Sequence, residues 1–267
     1  MATIGVIMSV YNSEKTLELA MNSILNQTFS DWKLYIVDDY SNDNSWAIIQ
    51  SYMLTDERIY GFRNTSNLGL TKNLNYLLSQ SSEEYVARFD SDDINNIRRF
   101  EEQLRVFRNE SKIDIIGSNS VVINNEGEHV GYRRMPEYDE EIKRYMILLN
   151  PLNHPSVMFR RKSLENQRLI YCELFKTSQD WDLWLRAKRA GLNFYNIQHS
   201  LLYYRVDNTY HKKKSSRYRL NEVRIRLKNS RGENLVLILI GMCLSIILAL
   251  MPEQIFKLMK QFDNRNK

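Results

Sequence analysis

Three carboxylates, Asp90, Asp92 and Asp93, close the stretch Tyr85-Val-Ala-Arg-Phe-Asp-Ser-Asp-Asp93, directly after a short apolar run and directly before a charged helical pattern. Strand, acidic loop and helix in that order put Asp90 and Asp92 at the carboxyl end of a buried strand, where open α/β sheets bind ligands. Carboxylates gathered there repel one another unless a divalent cation lies between them. Mg²⁺ or Mn²⁺ takes oxygen ligands and binds through one or two carboxylates together with substrate phosphates. Two plainer explanations stand beside this one. A helix N-terminus favours Asp in its first turn, which accounts for one of the three. A calcium loop of EF-hand spacing would use Asp90, Asp92 and Glu101, but Ile94 stands where an oxygen ligand is needed and Asn95 where the turn needs Gly. A second acidic pair, Asp38-Asp39, ends another apolar run. Alone it would suit the acidic pocket of a receiver domain, or helix capping, but the later Thr/Ser and Lys strand-end signals of a receiver are not evident. Asp180 precedes a helical pattern, where it is either an N-cap or a carboxylate placed to accept a proton.

The elements that must position these groups alternate. The run Ile4-Gly-Val-Ile-Met-Ser-Val10 reads as a buried first strand, and residues 14–26 as a helix with Leu17, Met21, Ile24 and Leu25 on one face. A second strand at 32–37, a helix from Ser45, a short strand at 59–63, a helix at 70–79 and the strand 85–89 complete a βαβαβαβ half. That order implies a mainly parallel sheet with right-handed crossovers. Beyond Asp93, residues 96–109 are helical and 113–117 return as a strand. A hairpin follows, made of 120–123 and 129–133. A strand around 157–159, a helix at 180–190 and a strand at 201–204 supply the second-substrate side. The division expected is a catalytic domain over 1–210, with 1–93 binding nucleotide and 94–210 binding acceptor, followed by a tail at 211–267.

A net charge of +5 conceals an asymmetry. Residues 1–211 hold 24 Lys and Arg against 28 Asp and Glu, whereas 212–267 hold 13 against 4. The basic character therefore belongs to the tail, and with an acidic body ahead of it a nucleic-acid partner is not expected. Residues 211–231 carry nine Lys and Arg, with Leu220, Val223 and Leu227 spaced for one helical face. Residues 235–251 carry no charge over 17 positions, and at ~1.5 Å per residue they would extend about 26 Å, a little short of a ~30 Å hydrocarbon core. The run either spans a bilayer with adjustment at its ends or lies in the interface, and a packing or dimerising helix is the other reading. Residues 253–262 are amphipathic again. Two cysteines without paired spacing, Cys172 and Cys243, and no basic segment ahead of an apolar one at the start, lead to the expectation of a cytoplasmic chain without a disulfide framework.

Six segments come in the order and at about the spacing of family 2 glycosyltransferases with the GT-A fold, and the resemblance covers roughly residues 3–205. They are the strand ending Ser9-Val-Tyr-Asn12, Ile36-Val-Asp-Asp-Tyr-Ser-Asn-Asp43, Asn64-Thr-Ser-Asn-Leu-Gly-Leu-Thr-Lys-Asn73, Phe89-Asp-Ser-Asp-Asp93, Arg99-Phe-Glu-Glu-Gln103 and Ser178-Gln-Asp-Trp-Asp-Leu-Trp-Leu-Arg186. The resemblance implies an α/β, Rossmann-like GT-A fold and inverting transfer of a sugar from a nucleotide diphosphate donor. Tyr11 would stack on the base, Asp39 would accept a hydrogen bond from it, and Lys72, where relatives usually have Arg, would sit near the nucleotide. Asp90 would approach the ribose, Asp92 the Mn²⁺ or Mg²⁺ on the diphosphate, and Asp93 would lie close by as a further ligand. Asp180 matches the family's catalytic base. His154, in Asn153-His-Pro-Ser-Val-Met-Phe-Arg160, resembles a segment of bacterial polysaccharide-assembly members and would contact acceptor or diphosphate, with a satisfied structural histidine as the alternative.

The sequence departs from the family pattern at Tyr40 (usually Gly or Asn), Ile97 (Pro), Gln179 (Glu) and Asp207 (often His). A Gln-x-x-Arg-Trp motif, typical of processive synthases, is absent, so one addition per encounter is expected. The implied reaction moves galactose or glucose from a UDP-sugar to a polyprenyl-diphosphate-linked saccharide, forming a β-glycosidic bond at the cytoplasmic membrane surface, where the tail would hold the enzyme. A nucleotidyltransferase that makes nucleotide sugars, or a non-catalytic nucleotide-sugar binder, would also use acidic strand ends. The first would need a Gly-rich, basic first loop, which is not found.

Overall fold

The computed structural model describes residues 3–206 and 216–250. Four parallel strands begin the chain: β1 (Ile4–Val10), β2 (Trp32–Asp38), β3 (Ile59–Arg63) and β4 (Tyr85–Asp90), joined through helices α1 (Leu17–Leu25), α2 (Ser45–Thr55) and α3 (Leu70–Gln80). The expected alternation is present with boundaries moved by a few residues. A two-residue strand β5 (Ile94–Asn95) precedes α4 (Arg99–Asn109), so that helix starts later than its charge pattern suggests. The expected strand at 113–117 and the first arm of the hairpin are one strand, β6 (Ile115–Ile123), which β7 (His129–Arg133) pairs antiparallel.

The second half adds α5 (Asp139–Tyr145), a 3₁₀ turn at His154–Ser156, β8 (Met158–Arg160), α6 (Arg161–Asn166), α7 (Gln179–Arg189) and β9 (Phe194–Arg205). The sheet runs β3-β2-β1-β4-β8-β6-β9-β5, with β7 paired off this path to β6. β8 runs antiparallel to both β4 and β6, while β9 is parallel to β6, so the sheet is parallel in its first half and mixed in its second. The period-two alternation of side chains divides the core into two layers. Ile4, Val6 and Met8 face Met21, Ile24, Phe100 and Leu104, while Ile7, Val37 and Val86 face Leu74, Leu77 and Trp184.

Two tail helices follow, α8 (Ser216–Lys228) and α9 (Leu235–Leu250). Among the described residues no helix is long and apolar enough to cross a membrane, so the spanning alternative finds no support. The face that Leu220, Val223 and Leu227 share is not the side on which α8 packs. Leu220 and Leu227 are exposed, and the buried side is largely polar: Arg219, Glu222, Ile225, Arg226 and Asn229. Arg226 and Asn229 have polar partners on the body of the protein, and Arg219 and Glu222 pair within the tail, which reverses the usual amphipathic rule. The amphipathic segment expected at 253–262 lies outside the described residues.

Behind the acidic loop, the fully buried Arg99 joins separate elements. Its guanidinium donates to Asn95 Oδ1 at 2.6 Å, to the carbonyl of Arg88 at 2.9 Å, to that of Val157 at 3.2 Å and to Gln103 Oε1 at 3.2 Å. Gln103 in turn donates to the Ser156 carbonyl at 2.8 Å. The Arg99-Phe-Glu-Glu-Gln103 segment therefore fixes the end of β4 against the 3₁₀ turn. Burial, followed by the nearby Arg88 charge, lowers the Arg99 pKa to about 9, which leaves it charged at neutral pH.

One departure from the family pattern has a backbone consequence. Tyr40 holds φ at +65°, in the left-handed region that suits Gly and Asn and costs other residues roughly 1–2 kcal/mol. Its side chain is exposed, so little packing offsets that cost. Tyr40→Asn is expected to raise the thermal unfolding midpoint by about 2–4 °C, the shift for ~1 kcal/mol in a domain of this size. A lower midpoint in calorimetry would show that the aromatic ring contributes more than the backbone strain costs.

Candidate active site

Register alone gathers the acidic groups at one edge. β1 and β2 pair Val10 with Asp38, and β1 and β4 pair Ser9 with Asp90, so Tyr11, Asp39 and the loop from Asp90 to Asp93 all leave the carboxyl edge of the parallel strands. Asn12, in the left-handed region at φ 50°, turns the chain after β1, and its Oδ1 accepts the Asn42 N–H at 2.9 Å. The acidic loop is tied to the same turn: Ser91 Oγ and Ser13 Oγ lie 2.8 Å apart, and Thr16 Oγ1 donates to the Ser91 carbonyl at 3.0 Å.

Asp39 is buried, and its carboxylate already accepts three hydrogen bonds. Leu68 N–H and Asn64 Nδ2 reach Oδ1, each at 2.8 Å, and Gly69 N–H reaches Oδ2 at 2.8 Å. Gly69 has φ of +85°, a conformation that lets both loop amides converge on one carboxylate. With about four lone-pair sites on a carboxylate, one is left for a ligand, so the first task of Asp39 is to shape the loop before α3. Asp38 turns inward, accepting Arg63 Nε at 3.1 Å. Tyr11 is half-exposed at the edge of the cleft, and Lys72, in the first turn of α3, is exposed.

The ligand oxygens of Asp90, Asp92 and Asp93 lie within 4.8 Å of one another. Arg88 donates to Asp90 Oδ2 at 2.5 Å, and a second guanidinium nitrogen contacts Asp90 Oδ1. This fork rests on a simple pattern, since residues two apart on a strand share a face. Asp93 is buried. Its Oδ1 accepts the Arg205 N–H at 2.8 Å, while Oδ2 is buried without a hydrogen-bond partner among the described residues. Arg205 also donates from Nε to the Asp92 carbonyl at 2.8 Å, so the end of β9 holds the loop closed. Asp92 keeps surface in contact with solvent, yet burial and then the charge of Asp90 push its pKa up to about 6. Burial, then Asp92 and Asp90, push Asp93 well above the usual carboxylate range. An unpartnered buried oxygen inside a cluster of hard carboxylate ligands fits a divalent cation, with Asp92 and Asp93 as the groups able to hold it.

Asp180 stands in the first turn of α7 and is 8% exposed. Ser178, just before the helix, is left-handed at φ 56°, a strained conformation of the kind found where a side chain must be aimed. Asn150 Nδ2 donates to Asp180 Oδ2 at 2.5 Å. Burial raises the Asp180 pKa, and the Asn150 amide and the Trp181 N–H pull it part of the way back. The Arg88 charge also lowers the Asp180 pKa, by less than either of those hydrogen bonds.

His154 belongs to the lining behind that cation. It is 9% exposed, with Nε2 2.9 Å from the Tyr171 hydroxyl and its ring edge-on to Trp184. Burial, then Arg88, lowers its pKa well below the usual value and keeps the ring neutral. One ring nitrogen is therefore taken up by Tyr171, which favours the structural alternative over direct contact with substrate.

Four residues of the site were not picked out by sequence reasoning. Arg88 was available from its spacing to Asp90, and Arg205 from the Tyr204-Arg205-Val206 segment. Asn150 and Tyr171 carry no local signal, because only tertiary packing brings them to Asp180 and His154.

The profile of "Glycosyl transferase family 2" matches residues 5–169. The O-antigen biosynthesis glycosyltransferase WbnJ of Escherichia coli is 31% identical over 209 residues, covering 77% of this chain and 80% of that protein. The UDP-Glc:alpha-D-GlcNAc-diphosphoundecaprenol beta-1,3-glucosyltransferase WfgD of Escherichia coli is 28% identical over 166 residues, covering 58% of this chain and 64% of that one. Among solved structures, S. aureus TarS 1-349 in complex with UDP-GlcNAc superposes with a TM-score of 0.70 at 19% identity, covering 92% of this chain and 70% of that one. The architecture is a GT-A-like α/β fold. With the family profile over more than half of its length and a relative 31% identical across most of both chains, this chain belongs to glycosyl transferase family 2.

Proposed function

We propose that the chain is an inverting, metal-dependent hexosyltransferase that moves galactose or glucose from a UDP-sugar to a lipid-diphosphate-linked saccharide in bacterial surface polysaccharide synthesis. The observation that carries this reading is the Asp90, Asp92 and Asp93 cluster, whose ligand oxygens lie within 4.8 Å of one another and whose buried Asp93 Oδ2 has no partner among the described residues. The activities for which WfgD and WbnJ are named support a lipid-diphosphate saccharide and an O-antigen setting, and the TarS complex with UDP-GlcNAc supports a UDP-sugar.

In this reading Tyr11 offers its exposed ring to the base, Asp39 uses its remaining lone pair, and Lys72 reaches toward the diphosphate. Asp90, neutralised by Arg88, faces the ribose as a hydrogen-bond acceptor. Asp92 and Asp93 would hold Mn²⁺ or Mg²⁺, which when bound offsets the charge that develops on the departing diphosphate. Asp180 takes the proton from the acceptor hydroxyl as that oxygen attacks the anomeric carbon from the face opposite the leaving group. In-line attack on an α-linked donor gives a β-glycoside.

The outward side of α9 bears on where the acceptor is met. Leu235, Val236, Leu239, Ile240, Ile246 and Ile247 are exposed and share one helical face, while Ile238, Gly241 and Ser245 are buried on the other. We infer that this face lies in the headgroup region of the cytoplasmic membrane surface.

Asp180→Asn is expected to lower kcat by about 100-fold or more while UDP binding by calorimetry is retained; turnover near that of the parent would remove Asp180 from the base role. Asp180 must be ionised to accept a proton, and its raised pKa means that activity is lost as pH falls through that raised value. The acid limb of kcat/KM should therefore lie above the ~4 of an ordinary carboxylate. Chelation with EDTA should abolish turnover and Mn²⁺ should restore it, with Mn²⁺ binding detected by electron paramagnetic resonance lost in Asp92→Asn. Full activity in chelator would overturn the metal role. Leu239→Glu combined with Ile246→Glu should abolish flotation with anionic vesicles, and unchanged flotation would remove α9 from the membrane contact.

A further inference from the structure

The tail helices reach the catalytic base through a continuous set of polar contacts. Arg226 on α8 is 4% exposed. Its NH2 nitrogen donates to the Leu148 carbonyl at 2.6 Å and its Nε to the Ile147 carbonyl at 3.2 Å. Those carbonyls belong to the segment between α5 and the 3₁₀ turn that presents Asn150 to Asp180. The guanidinium also lies 4.5 Å from the ring centroid of Trp181, the neighbour of Asp180, and Trp181 Nε1 donates to the Met146 carbonyl at 2.8 Å. One buried cation thus grips both the segment that carries Asn150 and the helix turn that carries Asp180.

Arg226 is itself held from α9. Its NH1 nitrogen donates to Ser245 Oγ at 2.7 Å, and Ser245 Oγ donates to Glu222 Oε2 at 2.8 Å. Gly241 makes the approach possible, because a Cβ there would come within 2.7 Å of Arg226 Nε and 3.3 Å of the Ile147 carbonyl. A second set of contacts runs in parallel. The fully buried Asp182 accepts Arg186 Nε at 2.8 Å, and Lys228 Nζ and Asn229 Nδ2 each at 3.1 Å. Arg189 donates to Asn229 Oδ1 at 2.8 Å, and Lys188 pairs with Glu233. A tail serving only as a tether would need none of this convergence on α7 and its neighbouring loop.

We propose that α8 and α9 form a clamp that positions the catalytic base, with Arg226 as the positioning residue acting through the Ile147 and Leu148 carbonyls and Asn150 on Asp180. The inference rests on the assignment of Asp180 as the base. Arg226 touches neither donor nor acceptor. Its removal should alter the chemical step while leaving the nucleotide site, built from the other half of the sheet, as it is.

The test is a double-mutant cycle on the full chain, using Arg226→Met and Asn150→Ala, with Arg226→Lys as the conservative variant. Turnover of a UDP-sugar onto a soluble saccharide-diphosphate acceptor is measured beside UDP affinity by calorimetry. Arg226→Met should lower kcat about tenfold or more with UDP affinity unchanged, and Arg226→Lys should recover part of the loss. The double variant should lose less than the product of the two single losses. Unchanged kcat, losses that multiply in full, or UDP affinity that falls in step with kcat would overturn the clamp. Should Arg226→Met fail to fold, Ser245→Ala gives the same reading with a smaller expected loss of a few fold, and no loss there overturns the proposal. Asp180→Asn is run alongside: if it keeps turnover, the base assignment fails, whereas a dead Asp180→Asn beside a fully active Arg226→Met condemns the clamp alone.

Discussion

One guanidinium balances the centre of this molecule. Arg88 is buried and paired with Asp90, and its charge acts in smaller measure on Asp92, Asp93 and Asp180 as well. Two like charges about 5 Å apart repel by roughly 3 kcal/mol at an effective dielectric near 20, so three carboxylates cannot share the loop with a single cation behind them at no cost. Burial, and after it this repulsion, raises the pKa values of Asp92 and Asp93, and Asp93 Oδ2 is left without a partner among the described residues. Burying Arg88 is tolerable because Asp90 meets it with both oxygens, and an ion pair broken at such depth would leave an uncompensated charge. Arg99 supplies the backing, gripping backbone carbonyls on β4 and beside the 3₁₀ turn so that the acidic loop starts from a rigid edge.

Most of the backbone's departures from ordinary conformations lie beside these groups. Of the four non-Gly residues with positive φ among the described residues, Asn12, Tyr40 and Ser178 each lie within two residues of Tyr11, Asp39 or Asp180, while Arg168 lies apart from them. Asn tolerates this conformation well, and Tyr and Ser do so less readily. Tyr40 and Ser178 adjoin the carboxylates Asp39 and Asp180, where holding a side chain in place outweighs local strain.

Legibility in the sequence follows the range of the interactions. The parallel half was readable because apolar runs and turn residues alternate locally, and the register of β1, β2 and β4 then placed Tyr11, Asp39 and Asp90 at one edge without further information. The mixed half of the sheet was less legible. α5 and α6 are short and mostly charged, so neither shows an apolar stripe, and β6 hid its continuity because Gly117-Ser-Asn-Ser120 looks like a turn while pairing in the sheet with β9. Asn150 was beyond local reading, since its meaning depends on a partner thirty residues away. The aromatic setting of His154 is also tertiary: Tyr171 and Trp184 arrive from separate segments and turn inward what the motif alone would leave open to ligand.

The tail departs from the usual pattern of an amphipathic helix. Amphipathic logic assigns the apolar side of a helix to the protein interior, yet α8 buries Arg219, Glu222, Arg226 and Asn229 and leaves Leu220 and Leu227 outside. Its surroundings are polar, made of the Asp182 carboxylate and the carbonyls of Ile147 and Leu148, and each buried charge on α8 has a partner among them or within the tail. α9 completes the inversion by turning Gly241 and Ser245 inward and an apolar row outward. A polar inner face specifies one docking position through hydrogen-bond geometry, whereas an apolar one would tolerate sliding. The outward apolar row has no such specificity. One helix thus turns an unspecific apolar row outward while its inner face, through Ser245, holds Arg226 against the carbonyls of the segment that carries Asn150.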